Sequence, residues 1–333
     1  MPAPGDTKLV LCIWSSFTEW RFPAWLAEDI RKRYPPMRVV HLPDYRRLGE
    51  EIHDADILFG FSLKPEQFAA AHRLKWIHVL AAGVNQLMRE DIRRSDVVIT
   101  NSRRVHAVPM AEHTLGLILA LARRFRSAVG YQLEHHWAQQ EIWEEFPRPM
   151  EINGRTLVIL GYGAIGREIA RRAQAFGMKV VGVKRDPARG REHADRVVST
   201  DQLLAALAEA DFVVLTLPLT EETNHFFGRE KFAAMKKSAF FLNVSRGAVV
   251  DAAALVAALH NKTIAGAAID VAEVEPLEPS SPLWKAPNLF ITPHLSAVSE
   301  RLWHRHAELL FENLACYFAG RELLNVVDKK RGY

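Results

Sequence analysis

A glycine-rich turn in the middle of the chain restricts the available folds more than any other segment. Gly161, Gly163 and Gly166 follow the apolar run Leu157–Leu160 directly and precede a helical pattern. In such a strand–turn–helix unit the first glycine makes the tight turn, the second lets backbone approach a pyrophosphate, and the third lets the helix pack closely on the strand. The helix N-terminus adds N–H groups and the positive end of its dipole. We therefore predict a dinucleotide-binding loop made of Gly161, Tyr162, Gly163, Ala164, Ile165 and Gly166.

The end of the next predicted strand bears on which dinucleotide binds. About 20 residues after the glycines, a chain that prefers NAD places Asp or Glu there to hold the ribose 2′-hydroxyl. Here the strand Lys179–Val183 runs into Lys184 and Arg185, and Asp186 follows. Cations at this position pair with a 2′-phosphate. The sequence therefore predicts a preference for NADP(H), while the nearby Asp186 leaves NAD(H) open.

Strand and helix patterns alternate along nearly the whole sequence. Its 333 residues are 49% hydrophobic and 25% charged, which is typical of globular proteins and long enough for about two domains. Such alternation implies an α/β protein with parallel sheets covered by helices on both faces. A long helical pattern, Pro109–Ala128, precedes a polar excursion at Tyr131–Met150. The predicted strands are Leu9–Ile13, Arg38–His41, Ile57–Gly60, Trp76–Leu80, Val97–Thr100, Thr156–Leu160, Lys179–Val183, Phe212–Leu215, Ala239–Val244, Ile264–Ile269 and Leu289–Ile291.

Charge and cysteine usage exclude several classes of partner. Lys and Arg number 43 against 39 Asp and Glu, and the basic residues are scattered, so we expect no nucleic-acid partner. No run approaches the ~18 apolar residues that span a bilayer, and no Cys/His spacing resembles a metal site. Cys12 and Cys316 lie far apart in apolar settings, which fits a reducing compartment. We expect a cytoplasmic protein with no membrane contact and no metal.

Three late strands run into polar residues of catalytic type. Arg246 follows one of them, Asp270 follows the next with Glu275 five residues on, and His294 follows the last. In open α/β sheets the ligand lies beyond the carboxyl ends of the strands. Any one of these residues alone is compatible with a purely structural role. An arginine, two carboxylates and a histidine that converge on one crevice are better explained by chemistry.

Several short segments together carry a family resemblance. They are Ala82–Val84, Ala111–His113, Gly161–Gly166, Leu217–Thr220, Asn243–Asp251, Ala268–Pro276 and Thr292–His294. In order and spacing they resemble the D-isomer-specific 2-hydroxyacid dehydrogenase family, over nearly the whole chain. The resemblance implies a Rossmann dinucleotide-binding domain, residues 103–296, inserted into a flavodoxin-like α/β substrate domain formed by residues 1–102 and 297–333.

The resemblance also implies a role for each candidate residue. Arg246 would bind the carboxylate of a 2-keto acid and polarise its keto oxygen, for which a guanidinium fork is suited. His294 would protonate that oxygen as hydride arrives, with Glu275 holding its imidazole. Asp270 would contact the nicotinamide end of the cofactor. Further cofactor contacts are expected from Leu217, Pro218, Thr223, Val244 and Ser245 together with Arg246 and His294, and a substrate cradle from Ala82, Gly83 and Val84.

The implied reaction is reduction of a small 2-keto acid to the D-2-hydroxy acid. The glutamate at position 275 argues against formate as substrate, and Ala82, where phosphite dehydrogenases carry lysine, argues against phosphite. Glyoxylate or hydroxypyruvate is our first expectation. A larger 2-keto acid, a phosphoglycerate-type dehydrogenase and a dinucleotide-sensing regulator resembling the family's corepressors stay open. Tyr131–Met150 matches the family's dimerisation region, so a homodimer is expected, with Trp137 either packed in the interface or reaching a partner's pocket.

Overall fold

Parallel strands and helices alternate along the chain in the computed structural model, which describes residues 3–188 and 190–332, with the backbone only for Asn85. The strands are β1 (Lys8–Cys12), β2 (Arg38–Leu42), β3 (Ile57–Gly60), β4 (Trp76–Val79), β5 (Val98–Asn101), β6 (Thr156–Leu160), β7 (Lys179–Val183), β8 (Arg196–Val198), β9 (Phe212–Leu215), β10 (Phe240–Asn243), β11 (Gly266–Ile269) and β12 (Leu289–Ile291). The helices are α1 (Ala24–Arg33), α2 (Leu48–Glu51), α3 (Pro65–Ala70), α4 (Glu90–Arg93), α5 (Ala107–Ala122), α6 (Phe125–Leu133), α7 (Gln139–Glu144), α8 (Ala164–Ala175), α9 (Leu203–Glu209), α10 (Arg229–Ala233), α11 (Ala252–His260) and α12 (Leu302–Phe318).

The chain divides into two compact units, one formed by residues up to 106 together with those from 298, the other by residues 107–297. The domain boundaries expected from the sequence lie after residues 102 and 296. In the first unit β1–β5 form a parallel sheet of order β2-β1-β3-β4-β5, which is the flavodoxin-like order. Leu9 and Leu11 of β1 share a core with Leu26 of α1 and Leu310 of α12.

The second unit contains a seven-stranded parallel sheet of order β12-β11-β10-β9-β6-β7-β8. From β8 to β11 this is the Rossmann order 3-2-1-4-5-6, and β12 adds a seventh strand. Along β6, Leu157 and Ile159 belong to the core that contains α5 and α8, whereas Val158 and Leu160 belong to the core that contains α9 and α11. The predicted fold class, a Rossmann domain inserted into a flavodoxin-like domain, is confirmed. Because the strands are parallel, the segments that follow β6, β7, β9, β10, β11 and β12 all leave from one edge of the sheet.

One predicted helix is wrong in its second half. The pattern at Pro109–Ala128 predicted a single helix, but α5 ends at Ala122 and α6 begins at Phe125. Arg124 between them has a left-handed backbone, with φ +58°. Its side chain is only 6% exposed, and its Nε donates a hydrogen bond to the carbonyl of Pro147 at 3.0 Å. This buried arginine ties the break between α5 and α6 to the C-terminal part of the polar excursion, a contact across 23 residues that local periodicity does not encode.

The described residues show neither a membrane-spanning helix nor a cluster of metal-binding side chains. No helix within residues 3–188 and 190–332 combines the length and apolar character needed to cross a membrane. The same residues contain no group of three or more His, Cys, Asp or Glu side chains that could hold a metal ion. Cys12 and Cys316 are free thiols, and both are buried.

Candidate active site

The glycine-rich turn between β6 and α8 is shaped by close packing. Gly161 has φ +92°, and a Cβ there would lie 2.8 Å from the carbonyl carbon and oxygen of Thr216. A Cβ on Gly166 would lie 3.1 Å from the carbonyl oxygen of Gly161. The Thr216 hydroxyl donates a hydrogen bond to that same oxygen at 2.7 Å. Sequence reasoning missed Thr216, although it directly follows the buried strand β9 and the rule used for the other strand ends applies to it.

Gly163 is not crowded in this way. The nearest atom to a Cβ at Gly163 would be the carbonyl oxygen of Gly161, 3.9 Å away. Gly163 is the N-cap of α8 and provides no side-chain cap, so the N–H groups of Ala164, Ile165 and Gly166 have no intrahelical acceptor. Open space in front of uncapped N–H groups and a positive dipole end is what a phosphate requires. The turn therefore fits the pyrophosphate of a dinucleotide.

Tyr162, predicted as a cofactor residue, directs its side chain into the protein. It is 1% exposed, and its hydroxyl donates a hydrogen bond to the carbonyl of Glu192 at 2.6 Å. A Cβ on Gly182 of β7 would lie 2.6 Å from the tyrosine ring. The side chain thus packs over β7, and only the main chain of Tyr162 is left for the predicted contact.

The loop after β7 carries the predicted ribose-selecting cations. The Lys184 N–H donates to the carbonyl of Val198 at 3.1 Å, which continues the pairing of β7 with β8. Arg185 forms an ion pair with Glu222, with Nη2 2.9 Å from Oε2. Asp186 accepts a hydrogen bond from the N–H of Ala188 through Oδ1 at 3.1 Å. Asp186, the acid that made NAD(H) an alternative cofactor, therefore serves in part to stabilise its own turn.

The loop after β9 is braced internally by Thr223. The Thr223 hydroxyl donates to the carbonyl of Pro218 at 2.6 Å and accepts from the N–H of Thr220 at 2.7 Å. Leu217 packs in part against the core of the second unit. Thr223, which is 8% exposed, thus holds the shape of a loop that carries the predicted contacts Leu217 and Pro218.

His294 and Glu275 form a short hydrogen bond. Nδ1 of His294 lies 2.6 Å from Oε2 of Glu275, and Oε1 of Glu275 accepts from the N–H of Ala272 at 2.9 Å. Burial alone would raise the pKa of Glu275, but these two hydrogen bonds and the charge of Arg246 hold it below its ordinary value. Glu275 is therefore an anion with both oxygens engaged, and it fixes the orientation of the imidazole through Nδ1.

Asp270 builds the turn that presents His294. His294 has a left-handed backbone, with φ +54°, and its N–H donates to the carbonyl of Asp270 at 2.8 Å. The Asp270 carboxylate, 1% exposed, accepts from the N–H groups of Leu295 and Ser296, each at 2.9 Å. Its visible contacts thus shape the histidine turn, and the predicted contact with the nicotinamide end remains a prediction.

His113 of α5 completes this network, and sequence reasoning gave it no role. Its Nε2 lies 3.0 Å from the Thr292 hydroxyl and 3.6 Å from Oδ1 of Asp270. The Thr292 hydroxyl in turn donates to Asp270 at 2.6 Å. Burial lowers the pKa of His113, and the Asp270 charge opposes that change only in part. The segment Ala111–His113 carried the signal, because a partly buried histidine on a largely apolar helix needs a polar partner.

Arg246 follows β10 in a turn held by Asn243. The side chain of Asn243 accepts from both the N–H and the hydroxyl of Ser245, at 3.0 and 2.7 Å, and donates to the carbonyl of Arg246 at 3.0 Å. Nη1 of Arg246 donates to the carbonyl of Ser245 at 2.7 Å. Burial lowers the pKa of Arg246, and the charge of Glu275 opposes this. Val244, 1% exposed, anchors the turn in the core.

Gly247 brings this turn against the segment that carries Glu275. A Cβ on Gly247 would lie 1.9 Å from the carbonyl carbon of Ala272 and 2.2 Å from the nitrogen of Glu273. The two backbones approach so closely that no side chain fits between them. Glycine here keeps Arg246 near Glu275, and through Glu275 near His294.

The predicted substrate cradle belongs to the first unit. Ala82, Gly83 and Val84 follow β4, and the carbonyl of Ala82 accepts a hydrogen bond from the Asn101 side chain at 2.7 Å. Val84 is fully buried, and its carbonyl accepts from the N–H of Leu87 at 2.9 Å. Asn101, at the end of β5, thus fixes the loop. The other candidate residues all lie in the second unit.

Comparison with known proteins identifies relatives over most of the chain. Residues 115–296 match the model of the D-isomer specific 2-hydroxyacid dehydrogenase NAD-binding domain. A glyoxylate reductase of Korarchaeum cryptofilum is 35% identical over 297 residues, which cover 86% of this chain and 87% of the relative. A D-isomer specific 2-hydroxyacid dehydrogenase of Xanthobacter autotrophicus, solved with NADPH and MES, is 30% identical, with a TM-score of 0.82 over 98% of this chain and 100% of that one.

A third relative is named for its cofactor as well as its substrates. The NADPH-dependent glyoxylate/hydroxypyruvate reductase of Sinorhizobium meliloti, solved with NADP and sulfate, is 26% identical, with a TM-score of 0.82 over 98% of this chain and 100% of that one. Taken with the family match and the site geometry, these relatives show an oxidoreductase that binds a nicotinamide dinucleotide. The chain belongs to the D-isomer specific 2-hydroxyacid dehydrogenase family.

Proposed function

We propose that this enzyme uses NADPH to reduce a small 2-keto acid, of the glyoxylate or hydroxypyruvate type, to the D-2-hydroxy acid. The observation that carries the proposal is the 2.6 Å hydrogen bond between Glu275 and His294, in the same unit as Arg246 and an uncapped phosphate-binding turn. The substrate class is supported by the Korarchaeum relative, named a glyoxylate reductase, and by the Sinorhizobium relative, named a glyoxylate/hydroxypyruvate reductase.

Arg246 is proposed to bind the substrate. Its planar guanidinium matches a carboxylate with two parallel hydrogen bonds, and its charge polarises the adjacent keto oxygen. The backbone carbonyl of Ser245 holds Nη1 at 2.7 Å, so the fork is ordered before the substrate arrives. Backbone N–H groups of Gly83 and Val84 are proposed as additional donors to the carboxylate.

His294 is proposed to act as the general acid. Nδ1 is engaged by Glu275, so Nε2 is the nitrogen that we assign to proton transfer to the keto oxygen. When bound at the glycine-rich turn, a reduced dinucleotide would supply the hydride for the keto carbon. The ketone gains one hydride and one proton, the alcohol forms, and the imidazole is left neutral after giving up its proton. In the reverse direction the neutral His294 accepts the proton from the hydroxyl group.

NADPH is proposed as the preferred cofactor because of Lys184 and Arg185. Neither an Asp nor a Glu occupies the end of β7, where a 2′-hydroxyl would be held. Asp186, the acid that follows Arg185 in the sequence, accepts a hydrogen bond from the N–H of Ala188. The Xanthobacter and Sinorhizobium relatives were solved with NADPH and NADP, which supports the same preference.

We propose that the chain forms a homodimer through α6, α7 and the segment between them. Large apolar side chains are concentrated there, and Trp137 is 91% exposed and Leu133 78% exposed. Exposed large apolar side chains concentrated in one segment are typical of interaction sites. The double change Leu133→Glu and Trp137→Glu is expected to give monomers by light scattering, while Leu204→Glu, at a 43% exposed position on α9, leaves the dimer intact. A double variant that stays dimeric contradicts this interface.

A cytoplasmic location is proposed on the state of the cysteines. Cys12 and Cys316 are free and buried, which suits a reducing compartment. Fractionation of expressing cells is expected to recover the protein with cytoplasmic markers. Recovery from an oxidising compartment contradicts the proposal.

The test of the proposed activity is a panel of 2-keto acids assayed with both cofactors. We expect NADPH oxidation with glyoxylate and hydroxypyruvate, and a kcat/KM for NADPH at least about tenfold above that for NADH, because a lost phosphate–cation contact costs on that order. No oxidation with any 2-keto acid contradicts the activity. A clear preference for NADH contradicts the assignment of Lys184 and Arg185 while leaving the 2-keto acid chemistry in place.

A further inference from the structure

Two loops on opposite sides of the glycine-rich turn are joined by an ion pair. In the parallel sheet β7 and β9 flank β6, so the loops after them leave from the same edge on either side of the turn. Arg185 belongs to the loop after β7 and Glu222 to the loop after β9, with Nη2 and Oε2 2.9 Å apart. The pair therefore bridges the carboxyl end of β6, where the adenosine half of a dinucleotide is expected to lie.

Both members of this pair are accessible to solvent. The side chain of Arg185 is 56% exposed and that of Glu222 is 74% exposed. Ion pairs with this exposure contribute little to fold stability and exchange readily with other ions. The contact is therefore available to be replaced by a stronger anion.

Two further cationic side chains, those of Arg167 and Lys184, lie near the loop that carries Arg185. Nη1 of Arg167 on α8 lies 3.6 Å from Oε2 of Glu192. A Cβ on Gly190 would lie 2.6 Å from that Nη1 and 3.6 Å from Nζ of Lys184. Arg167 and Lys184 thus lie on either side of Gly190. Lys184 directly precedes Arg185 in the sequence. Arg167, Lys184 and Arg185 therefore lie at this end of the turn together with carboxylates that include Asp186, Glu192 and Glu222.

We propose that Glu222 is a specificity-determining residue that competes with the cofactor's 2′-phosphate for Arg185. This inference rests on the proposed use of NADPH. A phosphate monoester carries a charge of about −1.5 to −2 and three acceptor oxygens, so it displaces a single carboxylate from a guanidinium. The 2′-hydroxyl of NADH has no such charge and leaves the pair intact. Glu222 thus weakens the binding of NADPH but not that of NADH. It therefore reduces the difference in affinity between the two cofactors.

The test measures binding by calorimetry and needs no turnover. The probes are 2′,5′-ADP, which carries the 2′-phosphate, and 5′-AMP, which lacks it. Glu222→Gln is expected to tighten 2′,5′-ADP by about two- to fivefold relative to wild type, the range of an exposed ion pair, with the Kd of 5′-AMP unchanged. Glu221→Gln is the matched control, because it removes the same charge from the neighbouring position of the same loop. Its effect on the Kd of 2′,5′-ADP is expected to be less than about half the effect of Glu222→Gln.

A second background isolates the contact. In Arg185→Gln, the further change Glu222→Gln is expected to give no tightening beyond that of the Glu221→Gln control, because the shared cation is gone. Equal effects of Glu222→Gln and Glu221→Gln in the native background overturn the proposal. Weaker binding of both probes in Glu222→Gln also overturns it, since the pair would then hold the adenosine rather than compete for it. A wild-type enzyme that binds 2′,5′-ADP no more tightly than 5′-AMP instead contradicts the NADPH preference, which separates the two failures.

Discussion

Two sets of histidines in this protein occupy opposite electrostatic environments. His294, at the carboxyl edge of the Rossmann sheet, has Nδ1 2.6 Å from the carboxylate of Glu275 and a side chain 31% exposed. His78 and His306, in the core of the flavodoxin-like unit, are 0% exposed. Among the described residues, Nε2 of His78 and both ring nitrogens of His306 have no hydrogen-bond partner. His78 binds the Thr100 hydroxyl.

The difference shows what equips a histidine for proton transfer. Burial lowers the pKa of His78 to about 3, and burial, followed by the charges of His106 and His78, lowers the pKa of His306 well below its ordinary value. Such side chains stay neutral at working pH. An imidazole with a carboxylate on one nitrogen and access to substrate can instead hold and release a proton. The partner, rather than the residue type, separates the catalytic candidate from the core residues.

Removal of His294 should have the largest effect. We expect His294→Ala to lower kcat for 2-keto acid reduction by about 10³-fold, because general acid catalysis contributes on that order. The Kd for NADPH, measured by fluorescence, should change less than about threefold. His304→Ala, an exposed histidine stacked on Trp25 in the other unit, is the control and should keep full activity. Turnover of His294→Ala within about tenfold of wild type contradicts the acid role.

Neutralising Glu275, the hydrogen-bond partner of His294, should reproduce most of the loss in kcat. Glu275→Gln keeps the shape of the side chain but removes the negative charge that faces Nδ1 of His294 during proton transfer, and we expect kcat to fall about 10²-fold. Glu273→Gln provides a matched control, because Glu273 is two residues away and pairs with the exposed His225 at 3.1 Å. Stopped-flow or steady-state assays at pH 7 measure the kcat of both variants. Similar activities of the two variants would show that the hydrogen bond to Glu275 is dispensable.

Forcing apart the segments that join Arg246 to Glu275 should cost stability as well as activity. A Cβ on Gly247 meets the Ala272 carbonyl carbon at 1.9 Å, so Gly247→Ala must displace backbone, at a cost of about 1–3 kcal/mol in the free energy of unfolding. Gly116→Ala on α5 is the control, since a Cβ there has nothing within 4 Å, and it should stabilise by about 0.5–1 kcal/mol. Urea denaturation compares them. A Gly247→Ala protein as stable and active as wild type contradicts the close-approach argument.

The buried histidines should make the protein acid-labile. Their folded pKa values are depressed, so below about pH 6.5 the unfolded chain takes up protons that the folded chain does not. The free energy of unfolding should therefore fall as pH decreases from 6.5, by about 1.4 kcal/mol per pH unit for each buried histidine. His306→Leu should flatten this dependence between pH 6.5 and 5, whereas the exposed His72→Leu should not. An unchanged slope in His306→Leu would place the acid sensitivity elsewhere.

Local patterns predicted the strands well because burial on both faces leaves a plain apolar run. β6, β7 and β9 have the predicted bounds. β8 was missed because it has only three residues at the edge of the sheet and begins with arginine. The break at Arg124 was missed because its cause is a hydrogen bond to Pro147, and chain periodicity carries no information on such distant contacts.

In the site, residue types predicted the chemistry better than the direction of each side chain. The spacing of Arg246, Glu275 and His294 pointed to one constellation, and the hydrogen bond between Glu275 and His294 is present. The same reasoning assigned Tyr162 to the cofactor, although its side chain packs over Gly182. The sequence reasoning also gave Thr216 no role, although the Thr216 hydroxyl donates a hydrogen bond to the carbonyl of Gly161. A motif fixes which residues occur, while packing decides which way they face.

The central claim is that Glu275 acts on the reaction only through His294, and the kcat of the double variant Glu275→Gln/His294→Ala tests it most directly. If the claim holds, the double variant is no slower than His294→Ala alone, within about twofold, because the carboxylate has lost the imidazole that it orients. A further loss of about tenfold or more in the double variant would show that Glu275 contributes independently of His294, and would contradict the account.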